Sequence, residues 1–429
     1  MTVREEPSQI SLKVVLRALS SRNYRLFFGG QSISLTGTWM QNVAMSWMVY
    51  RLTNSAFMLG AVGFAADIFA LILMPFAGVI ADRYDRRRII IITQTLALIQ
   101  ALVLATLVLT HTILISHIFI LAMLLGIITA FDLPARQAFV VQMIEKKEDL
   151  PNAIALNSLV FNGARLIGPS VAGLLIAVAG EGGCFLLNGL SYFAVLAALL
   201  AMRIEKRPER LECKSHLYEF KEGFAHAFGS APIRNIILMV AIMSLMGTSY
   251  AVLMPVLVRE VLNKGPDTLG FLVGAAGSGA LIAAVALAVR QTTTGLCRNI
   301  PFAAALGGAS LIALSFSHTL HFSLPIMVVI GFCFMTQMAS SNTIIQTVVD
   351  DNKRGRVMSL FAMAFRGVAP FGSLLAGWLA TQIGVLHTLI IGGVSLVISA
   401  WWFWRKLPNL KVTQALVDTA RPTEPVLPG

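Results

Sequence analysis

The stretch that decides the fold is a short charged one, GVIADRYDRRR, which runs from Gly78 to Arg88. Apolar runs flank it on both sides, at residues 56–81 and 89–110. Each is long enough to cross a membrane, since a spanning helix needs about 20 apolar residues. Arginines clustered in a short loop stay in the cytoplasm, because positively charged flanks resist translocation. The stretch therefore predicts a multi-pass membrane protein with this loop inside the cell.

The composition of the whole chain agrees with residence in a membrane. Of its 429 residues, 56% are hydrophobic and only 13% are charged, whereas soluble domains carry about 25% charged residues. We expect an all-α membrane protein with twelve transmembrane helices. The predicted spans lie near residues 25–50, 56–81, 89–110, 113–135, 151–178, 183–203, 233–258, 268–289, 299–317, 321–345, 356–381 and 385–404.

The positive charge follows the predicted topology. The net charge is +12. If the N-terminus is cytoplasmic, only three of the lysines and arginines in loops fall on the outer side of the membrane: Arg51, Arg259 and Lys264. Such a bias favours both termini on the cytoplasmic side. We therefore expect a lipid bilayer, and no nucleic acid, as the partner of these charges.

One long charged connection divides the chain into two sets of six spans. We predict a cytoplasmic N-terminal segment (1–21), a first six-helix bundle (22–203), a cytoplasmic linker (204–232), a second six-helix bundle (233–406) and a cytoplasmic tail (407–429). The first segment has no apolar core, so no signal peptide is expected.

The chain lacks the motifs of an enzyme or a metalloprotein. Its four cysteines have no zinc-binding spacing, and no GxxxxGK[ST] loop for ATP occurs. We expect no catalytic residue, no metal and no cofactor.

The two halves share a short pattern. Arg165 precedes Pro169 in the fifth predicted span, and Arg366 precedes Pro370 at the same spacing in the eleventh. Proline-interrupted helices at matching positions of two halves indicate a transporter core. The pattern predicts two pseudo-symmetric bundles.

These residues resemble the major facilitator superfamily. Gly78, Ala81, Asp82, Arg83, Arg86 and Arg87 match the signature loop between its second and third helices, with Asp85 where the family usually has glycine. Gly168, Pro169 and Gly173 resemble its antiporter motif. The stretch FDLPARQAF (131–139) resembles the branch of enterobactin-type siderophore exporters and drug-efflux proteins.

The resemblance implies a monomer whose two six-helix bundles open a central cavity alternately to each side of the bacterial cytoplasmic membrane. The expected activity is proton-coupled export of a small amphiphilic solute, siderophore-like or drug-like. An importer or facilitator of the same fold, and a receptor or assembly factor that does not transport, remain alternatives.

Two groups of residues are predicted to form the inner gate. In the family, the loop aspartate locks the bundles together near the start of the eleventh helix, which assigns this role to Asp82. The charged loop supplies its neighbours, Gly78, Arg83, Arg86 and Arg87. A charge cluster that only sets the topology is the alternative for this loop. Asp132 and Arg136 are four residues apart, on one helical face, which suits an ion pair.

Asp67 is the most informative single position. It falls in the middle of the second predicted span, in GFAADIF (63–69), where an ionisable group is functional by default. Three interpretations stay open: a proton or substrate site, a permanent ion pair with Arg165, or exposure to a wet cavity without a role.

Arg165 and Arg366 lie at mid-depth and stay charged at any relevant pH. Arg366 has no acid at comparable depth in its own half of the sequence. Each arginine either binds backbone carbonyls freed by the following proline or takes part in substrate binding or coupling.

Polar and methionine side chains mark a candidate cavity lining on spans that line the cavity in this superfamily. Plain helix packing is the alternative for each of them. The residues are Gln41, Asn42, Met243, Tyr250, Gln337 and Asn342.

Overall fold

A computed structural model describes residues 16–203, 229–248, 250–290, 295–349 and 351–420. Within these ranges the side chains of Pro75, Val79, Asp82, Lys147, Asp351, Asn352 and residues 407–420 lie outside the description. Most of the predicted linker, residues 204–228, and residues 1–15 of the N-terminal segment also lie outside the described part. All regular secondary structure of the described residues is helical, which confirms the predicted all-α class.

The first half of the chain forms five long helices. A 3-10 turn at Arg17–Ser20 precedes them. Glycine interrupts the longest one: Gly180 has φ 69°, a left-handed value that favours glycine, and it divides the helix into two arms. The helices are α1 (Arg22–Thr53), α2 (Ala56–Arg83), α3 (Arg86–Leu109), α4 (Ile115–Met143) and α5 (Leu150–Ala201).

The second half is also helical but contains three π-helical segments, at Met243–Gly247, Leu257–Val261 and Met363–Gly367. Such one-turn bulges are rare and frequently occur at functional sites. The α-helices are α6 (Ala231–Ile242), α7 (Tyr250–Val256), α8 (Pro266–Ala288), α9 (Leu296–Ser315), α10 (Leu320–Val348), α11 (Asp351–Ala362), α12 (Ala369–Ile383) and α13 (Val385–Ala420).

The described helices have the length and composition of membrane spans. Ten segments qualify as candidate spans, and one of these is α5, which contains the break at Gly180. The helix α1 is a further 32-residue helix of lower hydropathy. The expected twelve-helix arrangement is therefore matched approximately, and the chain is a multi-pass membrane protein.

The chain divides into two compact units, whose residue ranges differ slightly from the two halves of the sequence. Unit 1 comprises Met1–Ala44 and Ile72–Leu211, and unit 2 comprises Met45–Leu71 and Glu212–Gly429. The end of α1 and the beginning of α2 thus pack with the second half of the chain. This exchange determines which residues become neighbours of Asp67.

Small residues allow the helices of unit 2 to approach closely. A Cβ atom at Gly279 on α8 would lie 1.8 Å from the carbonyl oxygen of Val328 on α10. A Cβ atom at Gly331 would lie 1.9 Å from the carbonyl oxygen of Ala276. Neither position has room for a larger side chain, so glycine sets the distance between α8 and α10.

A second close approach joins α2 to α12 within the same unit. A Cβ atom at Gly377 would lie 2.6 Å from the carbonyl oxygen of Ala56 and 3.0 Å from the Cα atom of Gly60. Farther along, the rings of Phe64 and Phe371 meet edge to face at 5.6 Å. The first part of α2 is therefore fixed against α12.

Candidate functional site

The loop between α2 and α3 is organised by Asp85, the residue that departs from the family pattern. Its carboxylate accepts a hydrogen bond from the backbone N–H of Arg87 at 2.9 Å, and Asp85 is the N-cap of α3. Aspartate is among the preferred N-cap residues because its side chain satisfies an otherwise unpaired N–H group. The substitution of the usual glycine thus leaves a well-formed helix start.

Two loop arginines bind helix carbonyls in unit 1. Arg86 donates to the carbonyl oxygens of Ala81 and Ala138, at 3.2 and 3.3 Å. Arg87 donates to those of Leu199 and Leu200 in the last turn of α5, at 3.0 and 3.2 Å. Cations stabilise helix C-termini, where carbonyls lack intrahelical partners. Both arginines therefore connect helix ends on the face of unit 1 that carries the loop.

The remaining members of the predicted inner gate are less defined. The side chain of Asp82 lies outside the described residues, although its backbone belongs to α2. Gly78 borders open space, and Arg83 is exposed at the last residue of α2. A gate built on Asp82 stays a prediction.

Asp132 is the centre of a buried charged cluster in unit 1. Only 3% of Asp132 is exposed. One carboxylate oxygen accepts hydrogen bonds from Thr93 Oγ1 at 2.9 Å and Gln94 Nε2 at 2.8 Å, and the other forms an ion pair with Arg136. The ion pair between Asp132 and Arg136 was expected from their spacing of four residues. The two hydrogen-bond donors on α3 were not foreseen. The cluster binds α3 to α4.

A second buried polar network joins α1, α3 and α5 in the same unit. Gln41 donates to Gln100 Oε1 at 3.1 Å and accepts from Asn188 Nδ2 at 2.7 Å. Gln100 in turn donates to the carbonyl oxygen of Leu121 at 3.2 Å. Sequence reasoning singled out Gln41 alone. The signal it missed was an amide residue in each of two other apolar spans, Gln100 and Asn188.

Arg165 lies against an aromatic side chain of α1. Its guanidinium carbon is 5.7 Å from the ring centroid of Trp39, within the range of a cation–π interaction. The Trp39 ring meets Phe161 edge to face at 5.9 Å. Arg165 is partly exposed.

The antiporter-like motif positions Trp39. A Cβ atom at Gly168 would lie 2.6 Å from Trp39 Cβ and 2.8 Å from the carbonyl oxygen of Thr36, so glycine lets α5 contact α1 directly. Pro169 and Gly173 lie buried in the same arm of α5. Within the described residues of unit 1, no carboxylate forms an ion pair with Arg165.

Asp67 and Arg366 belong to the same compact unit, unit 2. The charge of Arg366 acts on the Asp67 carboxylate, and both side chains are exposed at the surface of the unit. Arg366 has no acid at comparable depth in its own half of the sequence, but α2 contributes Asp67 from the other half. The pairing of Asp67 with Arg165 stays a prediction, since those residues belong to different units.

The π-helical segment Met363–Gly367 carries Arg366. Ser244, in the π-helical segment Met243–Gly247, donates a hydrogen bond to the carbonyl oxygen of Phe365. Pro370 follows in the first turn of α12. The local structure therefore differs from that around Arg165, which lies in a continuous α-helix.

The six predicted cavity-lining residues separate into two groups. Asn42 is exposed and Asn342 is partly exposed. In contrast, four are buried against other protein side chains within their units: Gln41, Met243, Tyr250 and Gln337. Burial of those four agrees with the packing interpretation, and a cavity-lining role stays a prediction for all six residues.

One further polar contact was not foreseen. The Tyr50 hydroxyl donates to the Glu260 carboxylate in unit 2, and the Arg259 guanidinium lies 5.8 Å from the Tyr50 ring centroid. Glu260 was not among the residues predicted to have a functional role. The contact ties the end of α1 to the π-helical segment Leu257–Val261.

Comparison with characterised proteins identifies the relatives of this chain. It is 29% identical to the staphyloferrin A transporter of Staphylococcus aureus, over 91% of this chain and 98% of that one. It is 24% identical to the multidrug efflux pump Tap of Mycolicibacterium fortuitum, over 81% and 87%. It is also 24% identical to macrolide efflux protein A of Streptococcus pyogenes, over 87% and 94%.

Solved structures share the fold at low sequence identity. A bacterial homologue of the human lysosomal transporter Spinster, in an inward-facing, unoccupied conformation, matches with a TM-score of 0.72 at 13% identity, over 92% of this chain and 98% of that one. A point mutant of the nucleoside transporter NupG matches with a TM-score of 0.69 at 14% identity, over 90% and 99%.

A family model described as transmembrane secretion effector matches residues 15–427, almost the entire chain. The relatives above are transporters, and none is an enzyme by its description. The chain is therefore a multi-pass membrane transporter that belongs to the transmembrane secretion effector family of the major facilitator superfamily.

Proposed function

We propose that this protein exports a small amphiphilic solute across the bacterial cytoplasmic membrane in exchange for protons. The observation that carries the proposal is the near full-length similarity to a staphyloferrin A transporter and to two efflux proteins. These relatives favour a siderophore-like or drug-like substrate. The two six-helix bundles would open the binding site alternately to each side.

The surface of unit 2 that carries Asp67 and Arg366 is the best candidate for the coupling site. Both charged groups are exposed within membrane-length helices. A charge facing lipid costs roughly 2.5–3.5 kcal/mol on insertion scales. We therefore expect this surface to face the aqueous transport pathway rather than lipid.

Proton binding at Asp67 would change the state of Arg366. While the carboxylate is ionised, the two opposite charges attract each other. Protonation removes that attraction and releases the guanidinium for other contacts. Because Arg366 lies on a π-helical segment bound to Ser244, a change at Asp67 is coupled mechanically to the junction of α11 and α12.

Asp132 is a poorer candidate for the proton carrier. Its carboxylate is buried, accepts two hydrogen bonds from α3 and forms an ion pair with Arg136, so its contacts are those of a structural link between α3 and α4. We assign Asp132 and Arg136 to the structure of the inner gate, together with the loop arginines that bind helix ends.

The orientation of the chain follows from the same loop. Arg83, Arg86, Arg87 and Arg88 cluster between α2 and α3, so this end of unit 1 is assigned to the cytoplasm. Both termini would then be cytoplasmic. The protein is expected to act as a monomer.

Transport by the purified protein tests the proposal. The protein is reconstituted in proteoliposomes, and the movement of radiolabelled erythromycin and iron-free staphyloferrin A is followed with an acidic or alkaline interior. We expect an acidic interior, which drives protons out of the liposome, to accumulate at least one probe well above the level in protein-free liposomes under the same gradient. Collapse of the pH gradient by a protonophore should abolish that accumulation.

The alternatives give different results in the same assay. Accumulation that requires an acidic exterior would indicate symport and import. Equilibration of a probe across the membrane at a rate independent of the pH gradient would indicate a facilitator. Binding of both probes without any movement would favour a receptor that does not transport.

A further inference from the structure

Arg165 and Arg366 occupy equivalent positions of the two halves, yet their surroundings differ. Arg366 interacts with the carboxylate of Asp67. Arg165 instead contacts the ring of Trp39, and no ion pair links it to a described residue of its own unit. We propose that Arg165 and Trp39 form a binding site for the anionic group of the transported solute, a carboxylate. This inference rests on the proposed export function and specifies its substrate class.

The position of Arg165 argues against a structural role in lipid. The first arm of α5 runs from Leu150 to the break at Gly180, so Arg165 lies roughly 22 Å along it at 1.5 Å per residue. That is the middle of the arm, within a membrane-length segment. A permanent charge at this depth needs water, a counter-ion or a ligand. Arg165 is partly exposed, so such a partner can reach the residue.

Trp39 keeps the guanidinium in a defined place. The contact of 5.7 Å engages the face of the indole ring, which attracts cations through its quadrupole. Phe161 packs edge to face against the same ring at 5.9 Å, and Gly168 brings α5 within contact of Trp39 Cβ. The aromatic side chain is held from two directions, so Arg165 is oriented before a ligand arrives.

The chemistry of the site selects a planar anion with an apolar body. A guanidinium held on one face by an aromatic ring can still donate in its own plane, and two parallel N–H groups match a carboxylate. The adjacent Trp39 and Phe161 rings offer apolar contact to the rest of the molecule. A cationic solute would instead be repelled by Arg165.

Binding of matched acid and amide probes tests this site. The pairs are benzoate with benzamide, 2-naphthoate with 2-naphthamide and pyrenebutyrate with pyrenebutyramide. Affinities are measured for the full-length protein in lipid nanodiscs, with empty nanodiscs subtracted. We expect at least one acid to bind the wild type tenfold or more tightly than its amide.

Two variants of Arg165 separate charge from shape. Arg165→Gln should lower the affinity for the acid at least tenfold and leave that of the amide within twofold. Arg165→Lys keeps the positive charge but loses the planar guanidinium, and should lower the affinity for the acid about two- to fivefold. Arg25→Gln removes an exposed arginine of α1, distant in sequence from Trp39, and should change neither affinity.

The amide in each pair also reports whether a variant is folded, because it uses the same apolar surface. If the wild type prefers no acid over its amide, or if Arg165→Gln binds both the acid and the amide as tightly as the wild type, the anion site is wrong. Transport of erythromycin without any preference for binding acids would contradict the proposed anion site but not the proposed export function. Acid binding through Arg165 without transport would sink the exporter alone.

Discussion

Removing Asp132 should destabilise unit 1 through several partners at once. In Asp132→Ala the guanidinium of Arg136, only 17% exposed, loses its counter-ion. Thr93 and Gln94 lose their acceptor. Breaking a buried pair by removing one partner costs about 3–5 kcal/mol, because the remaining charge stays uncompensated. We therefore expect Asp132→Ala to lower the free energy of unfolding by about 3–5 kcal/mol.

The partner variant should be less harmful. In Arg136→Ala the carboxylate of Asp132 keeps two hydrogen bonds from α3, so we expect a loss of about 2 kcal/mol, within the range for hydrogen bonds to charged groups. In the double variant neither charge remains. The sum of the two single losses in unfolding free energy should therefore exceed the loss in the double variant by at least about 1 kcal/mol.

Reversible unfolding in mixed micelles of SDS and dodecyl maltoside measures these free energies. All four proteins of the cycle are compared at one pH and one lipid content. A coupling energy near zero, with the two single losses simply additive, would refute the account of Asp132 and Arg136 as a buried interacting pair.

Two other predictions concern local structure and use the same unfolding assay. Asp85→Ala should lose the N-cap of α3 and about 0.5–2 kcal/mol of stability, whereas Asp85→Asn should retain most of it; equal losses in both would contradict the capping role. Gly279→Ala should cost about 1–3 kcal/mol by overpacking against α10. Gly163→Ala, where a Cβ atom meets nothing within 4 Å, should cost none, and similar losses at both glycines would refute the close approach.

The helices were predictable because their physical cause is local. Each span is a run of apolar residues of membrane-spanning length, and most segment boundaries fall within a few residues of those expected, although α4 and α13 continue well beyond the expected ends at 135 and 404. The break between the fifth and sixth spans was expected as well, since Gly180 falls in the gap between the predicted spans 151–178 and 183–203. Likewise, the ion pair of Asp132 and Arg136 follows from helical spacing alone.

The neighbours of Asp67 were not predictable, because they depend on packing between distant segments. Reasoning by halves assigned Asp67 and Arg165 to one bundle and left Arg366 without an acid. The structure places Met45–Leu71 with the second half, which brings Asp67 to Arg366. The π-helical segments have no simple sequence pattern, and the network of Gln41, Gln100 and Asn188 requires three helices to be arranged first.

In the proposed mechanism, Asp67 carries the proton that drives export. The most direct measurement compares Asp67→Asn with the wild type in the proteoliposome assay, with Glu145→Gln, the loss of an exposed carboxylate outside the helices, as the matched control. We predict that Asp67→Asn abolishes accumulation driven by the pH gradient while equilibrium binding of the probe survives, and that Glu145→Gln transports normally. Undiminished pH-driven accumulation by Asp67→Asn would contradict the account.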